Sequence, residues 1–518
     1  MAVDLKTHED PASAISQSVL EHVRRVVAPE LVSDLTLDRS LDDLGLDSIT
    51  RLSMLNCLEE AFHIRFTEDS LYDMVTCRDV IDYIEATVNG RGVNPRPGRQ
   101  AAAPSASPVP ATGPVPSQHY DVSQFPECVA LEQRFAGTAS VGLENPFFRV
   151  KQRVRGATAT IADREVVSYT SFDYLGMASD PAVKAAAQQA IDQFGTSGSA
   201  SRLVGGNHAL VAQLDEKIAR FLGTEAAAVF PSGYGTNASV LGHLFGPDDL
   251  ILYDELAHNS IVQGTLASKA QRRPFPHNDA GFVDKLLDDV RGSHRRVVVA
   301  IEGLYSMDGD YPDLPQFLEV KRRHAALLYV DEAHSVGVLG ATGRGLCEHY
   351  GVDPADGDLW MGTISKALGS LGGYLAGRRM LVQYLKYTTP AFVFATALPP
   401  ANAAAALAAL HLLQVEPDRV ARLRDRAQLF LKLADDCGLD TGKNQDSPVV
   451  PIIVGDSMRC IRLASALLLR GIDVQPILYP AVPESQSRLR FFITAEHSEE
   501  QISATVQALA ECLGTPQA

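Results

Sequence analysis

The chain has 518 residues, a length that predicts more than one domain, and 46% of its residues are hydrophobic, enough for buried cores. A formal net charge of −17 argues against a nucleic-acid-binding protein. The 7 cysteines lack Cys-x-x-Cys spacing, the first ten residues are polar, and apolar runs are short. These features predict a cytoplasmic protein with reduced thiols, no secretory leader and no membrane span.

Negative charge is concentrated near the N-terminus, where residues 1–88 hold 18 Asp and Glu against 7 Lys and Arg. Helical spacing of apolar residues predicts an amphipathic helix over 15–28. A second predicted helix has four apolar residues at three- and four-residue spacing, Leu52, Leu55, Leu58 and Phe62. Ser48 lies at its N-terminus, where free N–H groups and the helix dipole favour a phosphodiester. An Asp-Ser pair is also an ordinary helix cap.

Residues 12–88 resemble an acyl or peptidyl carrier protein, with the match centred on Leu-Gly-Leu-Asp-Ser-Ile at 44–49. The resemblance implies an all-α four-helix domain in which Ser48 carries 4′-phosphopantetheine. The thiol of that arm would hold an acyl group as a thioester. A phosphopantetheinyl transferase and acyl-loading enzymes are the implied partners of this domain.

Residues 89–118 shift abruptly to Ala, Pro, Gly and Ser, with three arginines and no acidic residue. Such a segment cannot bury enough apolar surface to fold, and its prolines keep it extended. At about 3 Å per residue it reaches up to about 90 Å. We interpret it as a flexible linker that lets the carrier visit a distant pocket; a passive spacer would have the same composition.

Residues 119–518 alternate helical and strand patterns, which predicts an α/β domain to about residue 400 and a smaller α+β domain from about 401 to 518. Asp180 and the proline after it predict the start of a helix that runs to about Phe194. Apolar runs predict parallel strands over 297–301 and 327–330. The C-terminal patterns predict strands at 449–454, 472–477 and 489–494, a helix near 458–470, and a last helix opened by a Ser498–Gln501 capping box.

Residues 362–369, Gly-Thr-Ile-Ser-Lys-Ala-Leu-Gly, place one lysine between hydroxyl and small residues. A lysine that attacks a carbonyl must lose its proton, so it needs a site that disfavours the ammonium. Thr363 and Ser365 offer hydroxyls to a phosphate beside it. The segment is therefore typical of a covalent pyridoxal phosphate site at Lys366, although most lysines are solvated surface residues.

Four further segments carry groups that such a site needs. Asp331 ends a predicted strand, where α/β sheets place ligands, and can keep a pyridine nitrogen protonated, while His334 can reach a ring hydroxyl. The Gly-rich turn at 231–237 offers amides to a phosphate. His258 at a strand-to-helix junction can stack on a ring, and Ser306 offers a hydroxyl. Asp-Glu-Ala-His is also a helicase box, but the chain lacks a GxxxxGK[ST] loop.

In their order, these segments resemble the α-oxoamine synthase family of fold-type I pyridoxal phosphate enzymes over about residues 170–513. The resemblance extends to residues 201–207, 394–400 and 488–490. It implies four catalytic residues, Lys366, His258, Asp331 and His334. The implied cofactor contacts are Gly233, Tyr234, His258, Ser306, Asp331, His334, Thr363, Ser365, Lys366 and Thr396.

The resemblance also implies individual roles. Lys366 would form the Schiff base and remove the Cα proton, Asp331 would pair with the pyridinium nitrogen, and His258 would stack on the ring. Thr396 would reach the phosphate from the other subunit of a homodimer. Arg490 would bind the amino acid carboxylate, because a guanidinium fork suits it.

Two positions depart from relatives. Phe172 stands where many relatives have an asparagine that helps to hold the substrate carboxylate, which puts that contact in doubt. Ser201 stands where glycine-specific relatives carry threonine, so alanine and serine are candidate substrates alongside glycine.

The resemblance implies a decarboxylative condensation of a small α-amino acid with an acyl thioester, giving an α-aminoketone. The fused carrier favours a thioester on the Ser48 arm and a role in natural-product biosynthesis. The alternatives are the same chemistry with acyl-CoA, with the carrier serving another partner, and a non-catalytic scaffold subunit. Residues 394–400 and 488–490 argue against an aldolase or transaminase. No metal, nucleic acid or membrane partner is expected.

Overall fold

The computed structural model describes residues 11–26, 35–39, 41, 54–55, 58, 61–62, 64, 74, 76–88, 115–140, 143–479 and 481–514. The chain divides into two units, Met1–Phe125 and Pro126–Ala518. Within the described ranges, no helix combines the length and the apolar character needed to cross a bilayer.

The first unit has a small helical core. Helices α1 (Pro11–Val26) and α2 (Cys77–Val88) pack against each other and bury Ile15, Val19 and Val23 on one side. Helix α1 begins earlier than the predicted residue 15 because Pro11 suits a first helical turn and carries no periodic signal.

Three of the four apolar residues predicted for the second helix are buried in this core, namely Leu55, Leu58 and Phe62. Ser48 and Leu52 lie outside the described residues. The placement of Ser48 and the four-helix count therefore stay predictions, as do the domain boundaries at 88 and 118.

The second unit contains the remaining helices. In chain order they are α3 (Pro126–Ser140), α4 (Pro181–Phe194), α5 (Ala209–Leu222), α6 (Gly233–Leu244), α7 (Asn259–Ala267), α8 (Ala280–Val290), α9 (Leu314–Arg323), α10 (Leu346–Tyr350), α11 (Arg379–Thr388), α12 (Pro390–Val393), α13 (Pro400–Val415), α14 (Asp418–Asp436), α15 (Ser457–Leu469) and α16 (Glu499–Gly514). Helix α4 begins as predicted, with the Asp180 side chain accepting from Ala182 N at 2.8 Å. The capping box of α16 is also confirmed, since Gln501 N donates to Ser498 Oγ at 3.1 Å and Ser498 N to Gln501 Oε1 at 3.0 Å.

Where the structure describes this unit, its strands form three sheets. In chain order they are β1 (Lys151–Arg155), β2 (Thr158–Ile161), β3 (Arg164–Ser168), β4 (Ala226–Phe230), β5 (Leu250–Asp254), β6 (Gln271–Phe275), β7 (Val297–Glu302), β8 (Leu327–Asp331), β9 (Leu359–Thr363), β10 (Gly373–Gly377), β11 (Val449–Ile453), β12 (Ile472–Asp473), β13 (Gln475–Ile477) and β14 (Arg488–Phe492). The orders are β4-β10-β9-β8-β7-β5-β6, β11-β14-β13 and β1-β2-β3-β12.

The seven-stranded sheet is the centre of the unit. Strand β10 runs antiparallel to β4 and β9, while β6, β5, β7, β8 and β9 pair in parallel. Apolar clusters cover both faces, which explains why β7 is buried along its whole length. The predicted α/β architecture is confirmed, and the parallel strands open their carboxyl ends at one edge, where such sheets place ligands.

The predicted single strand over 472–477 is wrong. Strand β12 pairs in parallel with β3 in one sheet, whereas β13 pairs antiparallel with β14 in another. The chain changes sheets at the buried Val474. A local apolar pattern cannot show such a change, because it depends on partners that are distant in sequence.

Candidate active site

Two buried carboxyl groups lie side by side at the carboxyl edge of the large sheet. Glu302 ends β7, Asp331 ends β8, and the two residues are register partners. Burial raises the pKa of Glu302 well above its usual range, and the neighbouring Asp331 acts in the same direction. Glu302 also accepts a hydrogen bond from the backbone N–H of His258, which draws α7 to this edge.

Asp331 is held by hydrogen bonds to both carboxylate oxygens. Asn237 Nδ2 donates to Oδ2 at 2.6 Å, and Ala333 N donates to Oδ1 at 2.9 Å. Each oxygen has a further lone pair, so the carboxylate keeps the capacity to accept from a ligand. The bonds fix the plane of an anion suited to a protonated ring nitrogen.

Lys366 follows β9 in the turn that leads to β10. Burial lowers the pKa of its amine to about 8, helped by Arg490 and opposed by the charges of Asp331 and Glu302. The amine nitrogen lies 5.8 Å from the centre of the Phe172 ring. A pKa of about 8 leaves about a tenth of the amine neutral at pH 7, which attack on a carbonyl requires.

The N-terminus of α6 forms a narrow anion cradle. The Ser232 hydroxyl caps Gly235 N at 3.2 Å, while the N–H groups of Gly233 and Tyr234 begin the helix and so have no intrahelical acceptor. A Cβ on Gly233 would lie 2.9 Å from Thr363 Oγ1, and one on Gly373 would lie 2.6 Å from Gly233 Cα. Glycine at both positions therefore permits the close approach of helix and strand.

The hydroxyl residues beside Lys366 contact backbone. Thr363 Oγ1 donates to the Gly372 carbonyl at 2.9 Å, and Ser365 Oγ accepts from Gly372 N at 3.2 Å. These bonds shape the turn that carries Lys366. Thr363 also faces the Gly233 cradle, whereas the Ser365 side of the turn is exposed.

The two predicted histidines, His258 and His334, lie close to the charged groups of Lys366 and Arg490, and the space among these side chains and Asp331 is the candidate pocket. His258 caps α7, and burial, together with the charges of Lys366 and Arg490, lowers its pKa. Burial also holds the pKa of His334 well below its usual range. His334 Nδ1 lies 2.7 Å from the buried Tyr174 hydroxyl. The hydroxyl donates to Nδ1 of a neutral imidazole, which therefore carries its own proton on Nε2.

Arg490 lies in β14 and enters the pocket from the small sheet. Its Nη1 donates to the Ser306 carbonyl at 2.9 Å, and its guanidinium carbon is 4.8 Å from the centre of the Phe492 ring. Burial lowers its pKa to about 10. Among the described residues, its Nε is buried without a hydrogen-bond partner, which a bound carboxylate would supply.

Ser306 and Phe172 make contacts that were not predicted from the sequence. Ser306 orients Arg490 through its carbonyl, and its predicted hydroxyl contact stays a prediction. The Phe172 ring packs edge-on against His334 at 5.8 Å and Phe492 at 4.6 Å. An apolar wall thus stands where relatives were expected to have an amide.

Thr396 and the Tyr234 side chain lie at the surface. Thr396 is exposed between α12 and α13, two residues from Phe394, whose side chain is 84% exposed. The Tyr234 hydroxyl donates to Asn259 Oδ1 at 2.9 Å. The predicted reach of Thr396 to a neighbouring subunit stays a prediction.

Sequence reasoning missed Asn237, Ser260, Tyr174 and Glu302. Each is a buried polar or phenolic side chain bonded to a predicted site residue. The available signal was weak: Asn237 lies in a helix that also contains Thr236, Ser239 and His243, and Glu302 is the one charged residue at the end of an apolar strand.

Comparisons with known proteins agree with this geometry. A model described as aminotransferase class I and II matches residues 164–509, and one described as phosphopantetheine attachment site matches residues 18–84. An 8-amino-7-oxononanoate synthase of Symbiobacterium thermophilum is 37% identical over 381 residues, 74% of this chain and 96% of the relative. One of Geobacter sulfurreducens is 42% identical over 358 residues, 69% of this chain and 91% of the relative.

Solved structures show the same similarity. The Sphingomonas wittichii serine palmitoyltransferase superposes with a TM-score of 0.72 at 32% identity, covering 75% of this chain and 97% of that one. A serine palmitoyltransferase structure with PLP gives 0.72 at 29% identity, with the same two coverages. This chain therefore belongs to the α-oxoamine synthase branch of the aminotransferase class I and II family, with a phosphopantetheine attachment domain preceding the synthase region.

Proposed function

We propose that the chain condenses a small α-amino acid with an acyl thioester, with loss of CO2, to give an α-aminoketone. Supporting this, the Lys366 amine, the Asp331 carboxylate and the Arg490 guanidinium surround one pocket, close enough for the last two to shift the pKa of the first. The named relatives, 8-amino-7-oxononanoate synthases and serine palmitoyltransferases, support the same reaction class.

Pyridoxal phosphate fits the side chains around this pocket. The cradle N–H groups of Gly233 and Tyr234 would hold its phosphate, Asp331 its ring nitrogen, His258 its ring face, and Lys366 its aldehyde carbon. When bound, the cofactor supplies an electron sink for negative charge at the substrate Cα. His334 keeps a proton on Nε2, so it can donate to the ring oxygen.

The chain's own residues then divide the remaining work. Arg490 binds the amino acid carboxylate, satisfying its buried Nε. Lys366 in its neutral form accepts the Cα proton, because its pKa of about 8 is poised for transfer near neutral pH. The buried ring of Phe492 lies over the Arg490 guanidinium and shields it from water, which strengthens its electrostatic contacts.

We further propose that the acyl group arrives on phosphopantetheine attached to Ser48. The support is that a phosphopantetheine attachment match and the synthase region share one chain. In this reaction, Lys366 takes the Cα proton, the Cα–acyl bond forms as the C–S bond breaks, and the thiolate takes up a proton and remains on the arm. The Cα–carboxylate bond then breaks, CO2 leaves and Cα takes up a proton. A dedicated carrier favours a tethered acyl donor over free acyl-CoA, and a pathway-specific natural product as the outcome. The amino acid substrate is glycine, alanine or serine.

A homodimer is part of the proposal. Val204 and Phe394 are each 84% exposed, and the segments that hold them are joined by the bond from Ala397 N to the Ala200 carbonyl at 2.9 Å. Apolar side chains at such exposure favour a protein interface. Thr396 lies in the same surface, from which it would reach the neighbouring subunit's phosphate site.

The test compares holo wild type with Ser48→Ala, using acyl groups loaded on the arm or supplied as acyl-CoA. Mass spectrometry is expected to show an aminoketone from the loaded wild type, with CO2 release, and none from the Ser48→Ala protein. Ser48→Ala should bind pyridoxal phosphate normally, which controls for folding. Equal turnover of acyl-CoA by both proteins would contradict the tethered donor only. A chain that stays colourless with pyridoxal phosphate would favour the scaffold alternative.

A further inference from the structure

A chain of buried hydrogen bonds connects the two sides of the pocket. It runs from Tyr329 through Asn237 to Asp331, and from Asn237 through Ser260 to His258. Asn237, Ser260 and Tyr329 are each at most 1% exposed. They come from helix α6, helix α7 and strand β8, so the chain ties three elements together.

The amide of Asn237 uses both of its N–H donors and one lone pair of its oxygen. Tyr329 Oη donates to Asn237 Oδ1 at 2.7 Å, and Nδ2 donates to Asp331 Oδ2 at 2.6 Å and to Ser260 Oγ at 2.8 Å. The orientation of the amide is fixed by chemistry, because the reverse would place an amide oxygen 2.6 Å from a carboxylate oxygen. Burial keeps the pKa of Tyr329 well above its usual range, so the phenol keeps the proton that it donates.

The bond to Ser260 determines what His258 receives. Ser260 Oγ accepts from Asn237, so its own hydrogen can point to His258 Nδ1 at 2.7 Å. Ser260 N also donates to the same nitrogen at 3.2 Å. With two donors on Nδ1, a neutral His258 carries its proton on Nε2.

We propose that Asn237 is a positioning residue that fixes the Asp331 carboxylate for the cofactor's ring nitrogen and, through Ser260, sets the plane and tautomer of the ring-stacking His258. The inference rests on the proposed use of pyridoxal phosphate. An aspartate at this position is nearly the same size, but when ionised it repels Asp331, and when protonated it has one O–H for the two acceptors, Asp331 and Ser260, that the amide now serves. The amide is thus required for its donors rather than for its volume.

The test measures pyridoxal phosphate affinity of the full-length apo protein through quenching of Trp360, the single tryptophan. Asn237→Asp is expected to weaken binding about tenfold or more, in line with the loss of a hydrogen bond to a charged group. Tyr329→Phe removes only the hydroxyl that orients the amide and is expected to weaken binding severalfold. Tyr169→Phe is the matched control, because Tyr169 is an equally buried tyrosine whose hydroxyl donates to Thr505 in the separate C-terminal core.

A second readout follows the imidazole itself. Long-range ¹H–¹⁵N spectra of histidine-labelled apo protein, assigned with His258→Gln, are expected to show protonated Nε2 in the wild type and a mixed or altered signal in Ser260→Ala. Ser260→Ala leaves the Asn237–Asp331 bond intact, so its affinity should change less than that of Asn237→Asp. Wild type that does not bind the cofactor would refute the proposed function. The role of Asn237 would be overturned if cofactor affinity changed only in proportion to thermal stability, so that Tyr329→Phe and Tyr169→Phe lost equal affinity, and if the His258 signal of Ser260→Ala matched that of the wild type.

Discussion

The pH at which Lys366 loses its proton should govern how fast the apo protein combines with pyridoxal phosphate. With a pKa of about 8, about 10% of the amine is neutral at pH 7. A solvated lysine with a pKa near 10.4 would be neutral in only about 0.04% of molecules. The pocket therefore provides a gain of roughly 200-fold in reactive amine at that pH.

The assay is rapid mixing of apo protein with excess cofactor between about pH 6 and 10, followed by visible absorbance. The rate of a free alkylamine is measured under the same conditions and divided by the neutral fraction of that amine. Dividing each protein rate by this reference cancels the effect of the cofactor's own protonation on the rate. The logarithm of the corrected rate should rise with unit slope below about pH 8 and level off above it, since the neutral fraction then saturates. Lys366→Arg controls for non-covalent binding and should form no covalent product.

Glu302→Gln adds a test of sign. An ionised Glu302 raises the pKa of Lys366, so replacing it should move the bend to lower pH, whereas a Glu302 that its own raised pKa keeps protonated would leave the bend in place. A bend that moves to higher pH would show that the charges act differently from this account. A corrected rate that keeps rising with unit slope to pH 10 would refute the perturbed amine altogether.

Three further predictions concern substrate, stability and cofactor. Arg490→Lys should raise the KM for the amino acid about tenfold or more with a smaller effect on kcat, because a lysine cannot bind a carboxylate in bidentate fashion. The control, Arg488→Lys, should mainly lower the melting temperature, because it weakens the buried ion pair with Asp308 at 2.6 Å. Burial opposes protonation of His277, but hydrogen bonds to Asp254 and Asp310 raise its pKa to about 10. The resulting contribution to the free energy of unfolding, at most about 5 kcal/mol, is complete below pH 6.5 and is lost as the pH rises through 10. In urea unfolding at pH 7 and pH 10, the free energy of unfolding should therefore decrease more for wild type than for His277→Gln. Gly373→Ala should displace the N-terminus of α6 and weaken the binding of pyridoxal phosphate far more than that of phosphate-free pyridoxal. Gly292→Ala is the control, because nothing lies near a Cβ at that position. Equal losses of affinity for the two ligands in Gly373→Ala would contradict the phosphate-binding role of the cradle.

Local signals in the sequence predicted a large part of the fold. The caps at Asp180 and Ser498 were predictable because a helix start depends on residues within one turn. Strands β7 and β8 were predictable because burial on both faces produces an apolar run. The division of 472–477 between two sheets was not predictable, since it depends on β3, about 300 residues away.

The site shows the same limit. Lys366, Asp331 and Arg490 could be proposed from motifs because each carries a chemical group that the reaction needs. Asn237 could not, because its role exists only through Tyr329 and Asp331, which lie more than 90 residues away along the chain. The contact of Tyr174 with His334 spans 160 residues and leaves no local trace.

In the proposed reaction, Arg490 would link substrate binding to the basicity of Lys366. The positive charge of Arg490 helps to lower the pKa of Lys366, while burial lowers the pKa of Arg490 itself. A substrate carboxylate that pairs with Arg490 neutralises this charge, so the pKa of Lys366 should rise when the amino acid binds. The same amine is thus more often neutral in the free protein, where it must react with a carbonyl, and a stronger base in the complex, where it must take a proton. An amino acid amide, which brings no negative charge, should lack the second effect.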